Sequence, residues 1–285
     1  MNAAYRPIKQ DEIVGWLPRR KPDSHKGDFG SVGIIGGAPG MAGAALLTGR
    51  AALLLGAGRV YCGLLDERVA IDFQAPELML CSPERTLAIQ QPACLVVGPG
   101  LGKTAAARGW LESALRASLP LLLDADALNL IAADPSLAET LRGREAPTLL
   151  TPHPGEAGRL LGLDASEVQN NRLGTIRNLT ANHSCGVALK GSWTLIHFPE
   201  GPVWRNDTGH PGMAAPGMGD ILAGMVGALV AQGLTLEQAA VFGVHLHGAA
   251  GNNAVWNKLG PVGLTASEVG LAARKLLNTW LYGAS

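Results

Sequence analysis

The chain has 285 residues, 47% of them hydrophobic, and its 23 Lys and Arg balance 23 Asp and Glu at a sequence pI near 7.1. That is enough apolar material for a large core, and the absence of a basic stripe argues against nucleic acid or an acidic membrane surface as a partner. The 38 glycines have no fixed period and sit between apolar runs, as expected of many tight turns rather than of a fibrous repeat.

Residues 1–25 read as a lead-in, with a short helix over 11–17 ended by Pro18. A repeated pattern follows: apolar strand, glycine turn, apolar helix. Strand 31–35 runs into turn 36–41 and helix 42–57, and the next strand covers 59–65. Strand 93–97 leads to turn 98–102 and helix 105–118. Strand 121–124 runs into Asp124-Ala-Asp126-Ala-Leu-Asn129. Strand 148–150 leads to Thr151-Pro-His153-Pro-Gly-Glu156 and a helix, and strand 187–190 leads into a hairpin of 194–198 with 203–205. Helices are expected over 221–231, 236–256 and 267–281, and Thr265 with Glu268 forms a capping-box pattern before the last. Strands that are apolar throughout and alternate with helices predict an α/β fold, a mostly parallel sheet covered on both faces. No linker or repeat divides it, so one domain over 1–285 is expected. Ligands of such sheets bind at the carboxyl ends of the strands, where the unusual turns fall, which points to an enzyme or a ligand-binding protein.

Cys62, Cys81, Cys94 and Cys185 form no Cys-x-x-Cys pair and have apolar neighbours, so they read as buried, inert thiols in a reducing cytoplasm. Residues 1–11 lack the apolar core of a signal peptide, and the apolar runs 42–57 and 221–231 are too short or too broken to span a membrane.

The stretch from Asn206 to Ala231 is the most telling. Its first half is dense in Gly and Pro, and its second half spaces Leu222, Met225, Val226, Leu229 and Val230 as a buried helix. Asp220 stands at the join, directly after Gly217-Met218-Gly219. Free backbone N–H groups and the positive helix end suit an anion there, typically phosphate, and a carboxylate can accept a proton from a substrate hydroxyl. The bland alternative is a plain Asp cap. Gly98-Pro-Gly-Leu-Gly102-Lys-Thr misses the Walker A spacing by one residue but allows a close ligand approach. The small residues of the 36–44 loop fit a flat ligand or tight packing. Prolines on both sides of His153 fix where its imidazole points. Lys190-Gly191-Ser192-Trp193-Thr194 suits the phosphates or ribose of a nucleotide, or a hairpin corner. No metal-ligand spacing appears. His245 and His247 do not share a helix face and read as structural.

In this order the segments resemble the carbohydrate-kinase-like NAD(P)H-hydrate dehydratase family over roughly 11–280. The likeness rests on His25-Lys-Gly27 with Gly30, the 36–45 loop, 98–102, Leu123-Asp-Ala-Asp-Ala-Leu-Asn129, Leu150-Thr-Pro-His-Pro-Gly-Glu156, Leu189-Lys-Gly191 and 217–224. It implies a ribokinase-like fold and a repair reaction in which NADH or NADPH hydrated at C6, in the S form, is restored at the expense of ADP with release of AMP and phosphate. The Thr-Pro-His-Pro-Gly-Glu form looks like the bacterial branch, which uses ADP where the eukaryotic branch uses ATP. By resemblance Asp220 is the catalytic base, and Ala44, Gly102, His153 and Asp220 contact the hydrated dinucleotide. Lys190, Gly191, Ser192, Trp193 and Thr194, with Gly217, Met218 and Gly219, hold ADP, and Mg²⁺ is bound mainly through phosphate oxygens. The resemblance also implies a cytoplasmic homo-tetramer whose partner epimerase is a separate protein. Met218 stands where the family usually has Thr, and Pro216 where it usually has Gly. Two other readings compete: a kinase of this fold acting on a vitamin-precursor alcohol, and an inactive nucleotide-binding protein.

Overall fold

Ten strands form one sheet in the computed structural model, which describes residues 4–89, 94–256 and 260–283. They are β1 (Arg6–Pro7), β2 (Ser31–Gly36), β3 (Arg59–Leu64), β4 (Met79–Cys81), β5 (Cys94–Val97), β6 (Leu121–Leu123), β7 (Thr148–Leu150), β8 (Gly186–Leu189), β9 (Leu195–His197) and β10 (Trp204–Arg205). The spatial order is β1-β10-β9-β8-β7-β6-β5-β2-β3-β4. All pairs from β8 to β4 are parallel, and β8-β9-β10 turn antiparallel through the expected hairpin. Of the expected strand 93–97, Ala93 lies outside the described residues.

Inner strands such as Val32–Ile35 and Cys94–Val97 are buried on both faces, so each feeds two cores. Val32, Ile34, Val96, Leu122 and Leu149 point to one, and Ile35, Leu95, Val97, Leu123 and Leu150 to the other. The helices are α1 (Gln10–Val14), α2 (Ala42–Leu54), α3 (Pro83–Leu87), α4 (Ala105–Leu115), α5 (Asp126–Ala133), α6 (Pro135–Arg142), α7 (Pro154–Leu161), α8 (Ala165–Asn170), α9 (Arg172–His183), α10 (Met218–Ala231), α11 (Leu236–Ala254) and α12 (Ala266–Tyr282). Buried residues of α2, α10, α11 and α12 fill the first core, and those of α4 to α9 the second.

α10 lies at the centre of the first layer, so nearly its whole circumference is buried. It crosses α2 at Gly224, where an added Cβ would come within 2.0 Å of the Thr48 carbonyl oxygen. This close approach fixes where the first turn of α10 stands relative to the strand ends.

Two short strands and several helices carry no clear sequence signal. β1 and β4 are the sheet edges, too short for an alternating pattern. The lead-in is tied down, because β1 pairs in parallel with β10 and the Arg6 guanidinium lies 4.2 Å from the centre of the Trp204 ring. The segments 83–87, 126–133, 135–142, 165–170 and 172–183 are helical although no helix is expected there. Four of the five carry local caps: Ser82, Asp134, Asp164 and Asn171 each accept a backbone N–H of the following turn.

Candidate active site

The carboxyl ends of β6 and β8 bring Asp124 and Lys190 to the first turn of α10, and the turn after β7 sets His153 and Glu156 near Lys190. After β6 stands Asp124, 1% exposed, whose Oδ1 accepts from the Lys190 Nζ at 2.7 Å. After β8 stands Lys190, whose backbone N–H donates to the Pro152 carbonyl at 2.8 Å and so ties it to the turn after β7. Burial opposes the Lys190 charge, but Asp124, Glu156 and Asp220 outweigh it and hold the ammonium above its ordinary pKa. After β7, His153 and Glu156 form a reciprocal cap on α7. The His153 Nδ1 accepts from the Gly155 and Glu156 N–H groups at 3.0 and 3.3 Å, and a Glu156 oxygen accepts from the His153 N–H at 2.8 Å. With Nδ1 an acceptor, the neutral ring carries its proton on Nε2. Burial, then Lys190 and Arg159, keep that imidazole below its ordinary pKa, and about half of it faces solvent, 51%. Burial raises the Glu156 carboxyl.

The first turn of α10 is open. Gly217, in the left-handed region at φ 84°, is the cap residue and supplies no side chain. The Ile221 N–H bonds back to the Gly217 carbonyl at 3.0 Å, which leaves the N–H groups of Met218, Gly219 and Asp220 to a ligand. Asp220 is therefore the third helical residue and not the cap. Burial, then the negative charge of Asp124, raise its carboxyl to about 7, with Lys190 opposing. The Gly219 Cα sits over the ion pair: a Cβ there would lie 3.2 Å from the Lys190 Nζ and 3.3 Å from the Asp124 Oδ2. The Met218 side chain, 7% exposed, joins the apolar core, so only its backbone can face a ligand.

The glycine loops after β2 and β5 build the neighbouring wall. Gly37 and Ala38 N–H groups donate to the Pro99 and Gly100 carbonyls at 3.0 and 2.7 Å. Ala44 packs under Gly100, where an added Cβ would lie 3.2 Å from its own, and Gly102, at φ 75°, faces Ala38 and Met41. The Gly102 N–H donates to the Asp126 Oδ2 at 2.9 Å. Asn129 bonds Asp126 with its amide nitrogen and accepts from the Arg159 Nε with its oxygen, at 3.4 and 2.8 Å. Ala44, Gly102, His153 and Lys190 thus follow one another along β2, β5, β7 and β8. In the loop after β8, the Thr194 hydroxyl donates to the Gly191 carbonyl at 3.3 Å and Ser192 is exposed. The Trp193 ring is 59% exposed and the Arg205 guanidinium stands 5.6 Å from its centre.

Sequence reasoning passed over three groups. Asp124 and Glu156 lie in segments it singled out, but only folding brings them to one lysine, Lys190, with Glu156 at 3.9 Å. The third is His247, whose ring interacts with the Met218 backbone and is pushed down to about 4 by burial and then by Lys190. Its Nε2 is buried with no partner among the described residues. His245 instead holds the loop before α10, with Nδ1 3.2 Å from the Asn206 Oδ1.

An open helix turn that suits phosphate, a nearby carboxylate poised near neutrality and a lysine between strand ends can together bind a nucleotide and transfer a phosphoryl group. Known proteins share this arrangement of the chain. Residues 32–271 match the NAD(P)H-hydrate dehydratase family. The ADP-dependent (S)-NAD(P)H-hydrate dehydratase of Neisseria meningitidis is 40% identical over 263 residues, 91% of this chain and 88% of that protein. A bifunctional NAD(P)H-hydrate repair enzyme of Coxiella burnetii is 41% identical over 96% of this chain, which spans only 55% of that protein. The ADP/ATP-dependent NAD(P)H-hydrate dehydratase of Bacillus subtilis, co-crystallised with ATP and Mg²⁺, superposes with a TM-score of 0.84 at 28% identity, covering 98% of this chain and 99% of that one. The fold is that of the ribokinase-like superfamily, to which an Enterococcus faecalis protein at TM-score 0.82 and 26% identity is assigned. The chain belongs to the NAD(P)H-hydrate dehydratase family.

Proposed function

We propose that the chain catalyses the ADP-dependent dehydration of the S epimer of hydrated NADH and NADPH, restoring the reduced dinucleotide and releasing AMP and phosphate. The observation that carries this reading is the uncapped first turn of α10 with Asp220 inside it and Lys190 alongside. ADP lies with its phosphates toward the N–H groups of Met218, Gly219 and Asp220, held by the loop 190–194 and by Gly217. The hydrated nicotinamide lies against Ala44, Gly102 and His153, with its C6 hydroxyl at Asp220. The His153 Nε2–H donates to the dinucleotide.

Asp220 takes the hydroxyl proton as the oxygen attacks the outer phosphorus of ADP. AMP leaves, and the backbone N–H groups carry the charge on the transferred group. The C6–O bond then breaks, phosphate departs with the bonding pair, and loss of a C5 proton reforms the ring double bond. Mg²⁺ screens the phosphate charge when it is bound. Among the described residues no group of three or more His, Cys, Asp or Glu is arranged to hold a metal ion.

Two further properties belong to this reading. The protein works in the cytoplasm; no helix among the described residues is long and apolar enough to cross a membrane. It assembles as a homo-tetramer, for which Phe73 and Val262, 87% and 93% exposed, are apolar material, and light scattering that shows a monomer rules this out. The test is absorbance at about 340 nm after mixing the protein with hydrated NADH, Mg²⁺ and either ADP or ATP. Recovery with ADP supports the reading. Recovery with ATP alone overturns the nucleotide assignment, and a stable phosphate ester as product favours the kinase.

A further inference from the structure

Ala125 is one of only two non-glycine residues at positive φ among the described residues, and its φ 51°, ψ −115° lies in a region that L residues rarely occupy. Such strain persists where the surroundings over-determine it, and it clusters at functional sites. Its surroundings are explicit here. The Asp124 carbonyl accepts from the Ala127 N–H at 3.1 Å, and the Ala125 carbonyl from the Asn129 N–H at 3.2 Å. The Asp124 N–H bonds the Val97 carbonyl at 3.1 Å, and Gly98 leaves no room for a Cβ against the Asp124 carbonyl, at 1.8 Å. The strained turn sends its two flanking carboxylates to different walls: Asp124 to Lys190, and Asp126 to the Gly102 N–H.

We propose that Asp124 is a positioning residue for phosphoryl transfer: its buried carboxylate anchors the Lys190 ammonium against Gly219 and sets the charge that faces Asp220. This rests on the reaction proposed above. Lys190 has no other acceptor as near as Asp124, since Glu156 stands at 3.9 Å rather than 2.7 Å. Freed from Asp124, the ammonium would lose its fixed place beside the first turn of α10. Two carboxylates then divide the work. Asp124 pairs with the Lys190 ammonium, and Asp220, buried and facing the Asp124 carboxylate, holds a proton more tightly than an ordinary aspartate. The charged or titratable groups around Asp220 are Asp124 from the end of β6 and Lys190 from the end of β8, with Glu156 on α7 and His247 on α11 beyond Lys190.

The test compares the parent with Asp124→Asn and Lys190→Gln by kcat and KM for ADP across pH, and by calorimetric ADP affinity across the same range. Asp124→Asn should lower kcat on the order of tenfold or more, raise the KM for ADP, and move the acid limb of the rate profile to lower pH. Lys190→Gln should move that limb to higher pH, because the positive charge that favours ionised Asp220 is gone. Opposite displacements establish the assignment, and a merely structural residue would lower stability without producing them. If Asp124→Asn does not fold, Lys190→Gln decides alone: an acid limb left in place overturns the proposal. A parent without turnover refutes the reaction, and the calorimetric profiles then still decide on Asp124. An active parent with superimposed profiles refutes only the role of Asp124.

Discussion

Asp220→Asn should cut turnover sharply and stabilise the fold at neutral and higher pH. In the folded protein the carboxyl is raised from 3.8 to about 7, first by burial and then by Asp124. A raised carboxyl pKa means the folded state prefers the protonated form. Its cost is therefore absent below the unfolded value, grows as pH rises from about 4 to 7, and is constant above. At 1.36 kcal/mol per pH unit the full cost is about 4 kcal/mol, an upper limit once solvent relaxation is counted. Asparagine keeps the shape and never ionises. Its advantage over the parent should widen between about pH 4 and pH 7 and then level off, reaching roughly 5–8 °C in melting temperature at about 2 °C per kcal/mol. The assay is thermal melting of both proteins across that range, with 340 nm turnover measured in parallel. Loss of the base should cost about 10²–10⁴-fold in kcat. A melting gap that does not change with pH, or an asparagine variant less stable than the parent at about pH 8, refutes the picture of a buried, charge-opposed base.

Other outcomes follow from the same geometry. The kcat of the parent should rise with pH and level off above about 7, where Asp220 becomes ionised, and a flat profile from about pH 5 to 8 would exclude it as the base. Gly219→Ala places a Cβ 3.2 Å from the Lys190 Nζ and 3.3 Å from the Asp124 Oδ2, so kcat/KM should fall by about tenfold or more with little change in melting. Met218→Thr puts a hydroxyl beside the open turn but removes a thioether side chain from the apolar core. It should cost about 1–3 kcal/mol in denaturant unfolding and give no gain in kcat.

The parallel body of the sheet was legible because its strands are apolar throughout and its turns are marked by glycine. Ser31–Gly36, Cys94–Val97 and Thr148–Leu150 stand within a residue or so of their expected bounds. Strand ends that cluster in one parallel sheet also made His153, Lys190 and Asp220 readable as neighbours in one candidate site. What was not legible depends on distance across the fold. The Asp124–Lys190 pair joins residues 66 apart, and no local pattern announces it. The strain at Ala125 is invisible because alanine ordinarily signals helix, and helix indeed begins at the next residue. His247 was set aside because residues two apart on a helix face different ways, which is true of His245 and His247. The rule did not say which of them faces the first turn of α10. Asp220 reads in the sequence as either a cap or a site residue, and the left-handed Gly217 takes the cap position itself, which removes the plain-cap reading.

The open first turn of α10 has a consequence for how the enzyme would respond to its surroundings. The N-terminus of this central helix lacks a capping side chain, and a compact anion could bond its free N–H groups. The phosphate released at the end of the proposed cycle fits the same backbone N–H groups as the phosphoryl group it came from. Free phosphate would then inhibit as a competitor of ADP, and the rate of repair would fall as phosphate accumulates and recover as nucleotide displaces it.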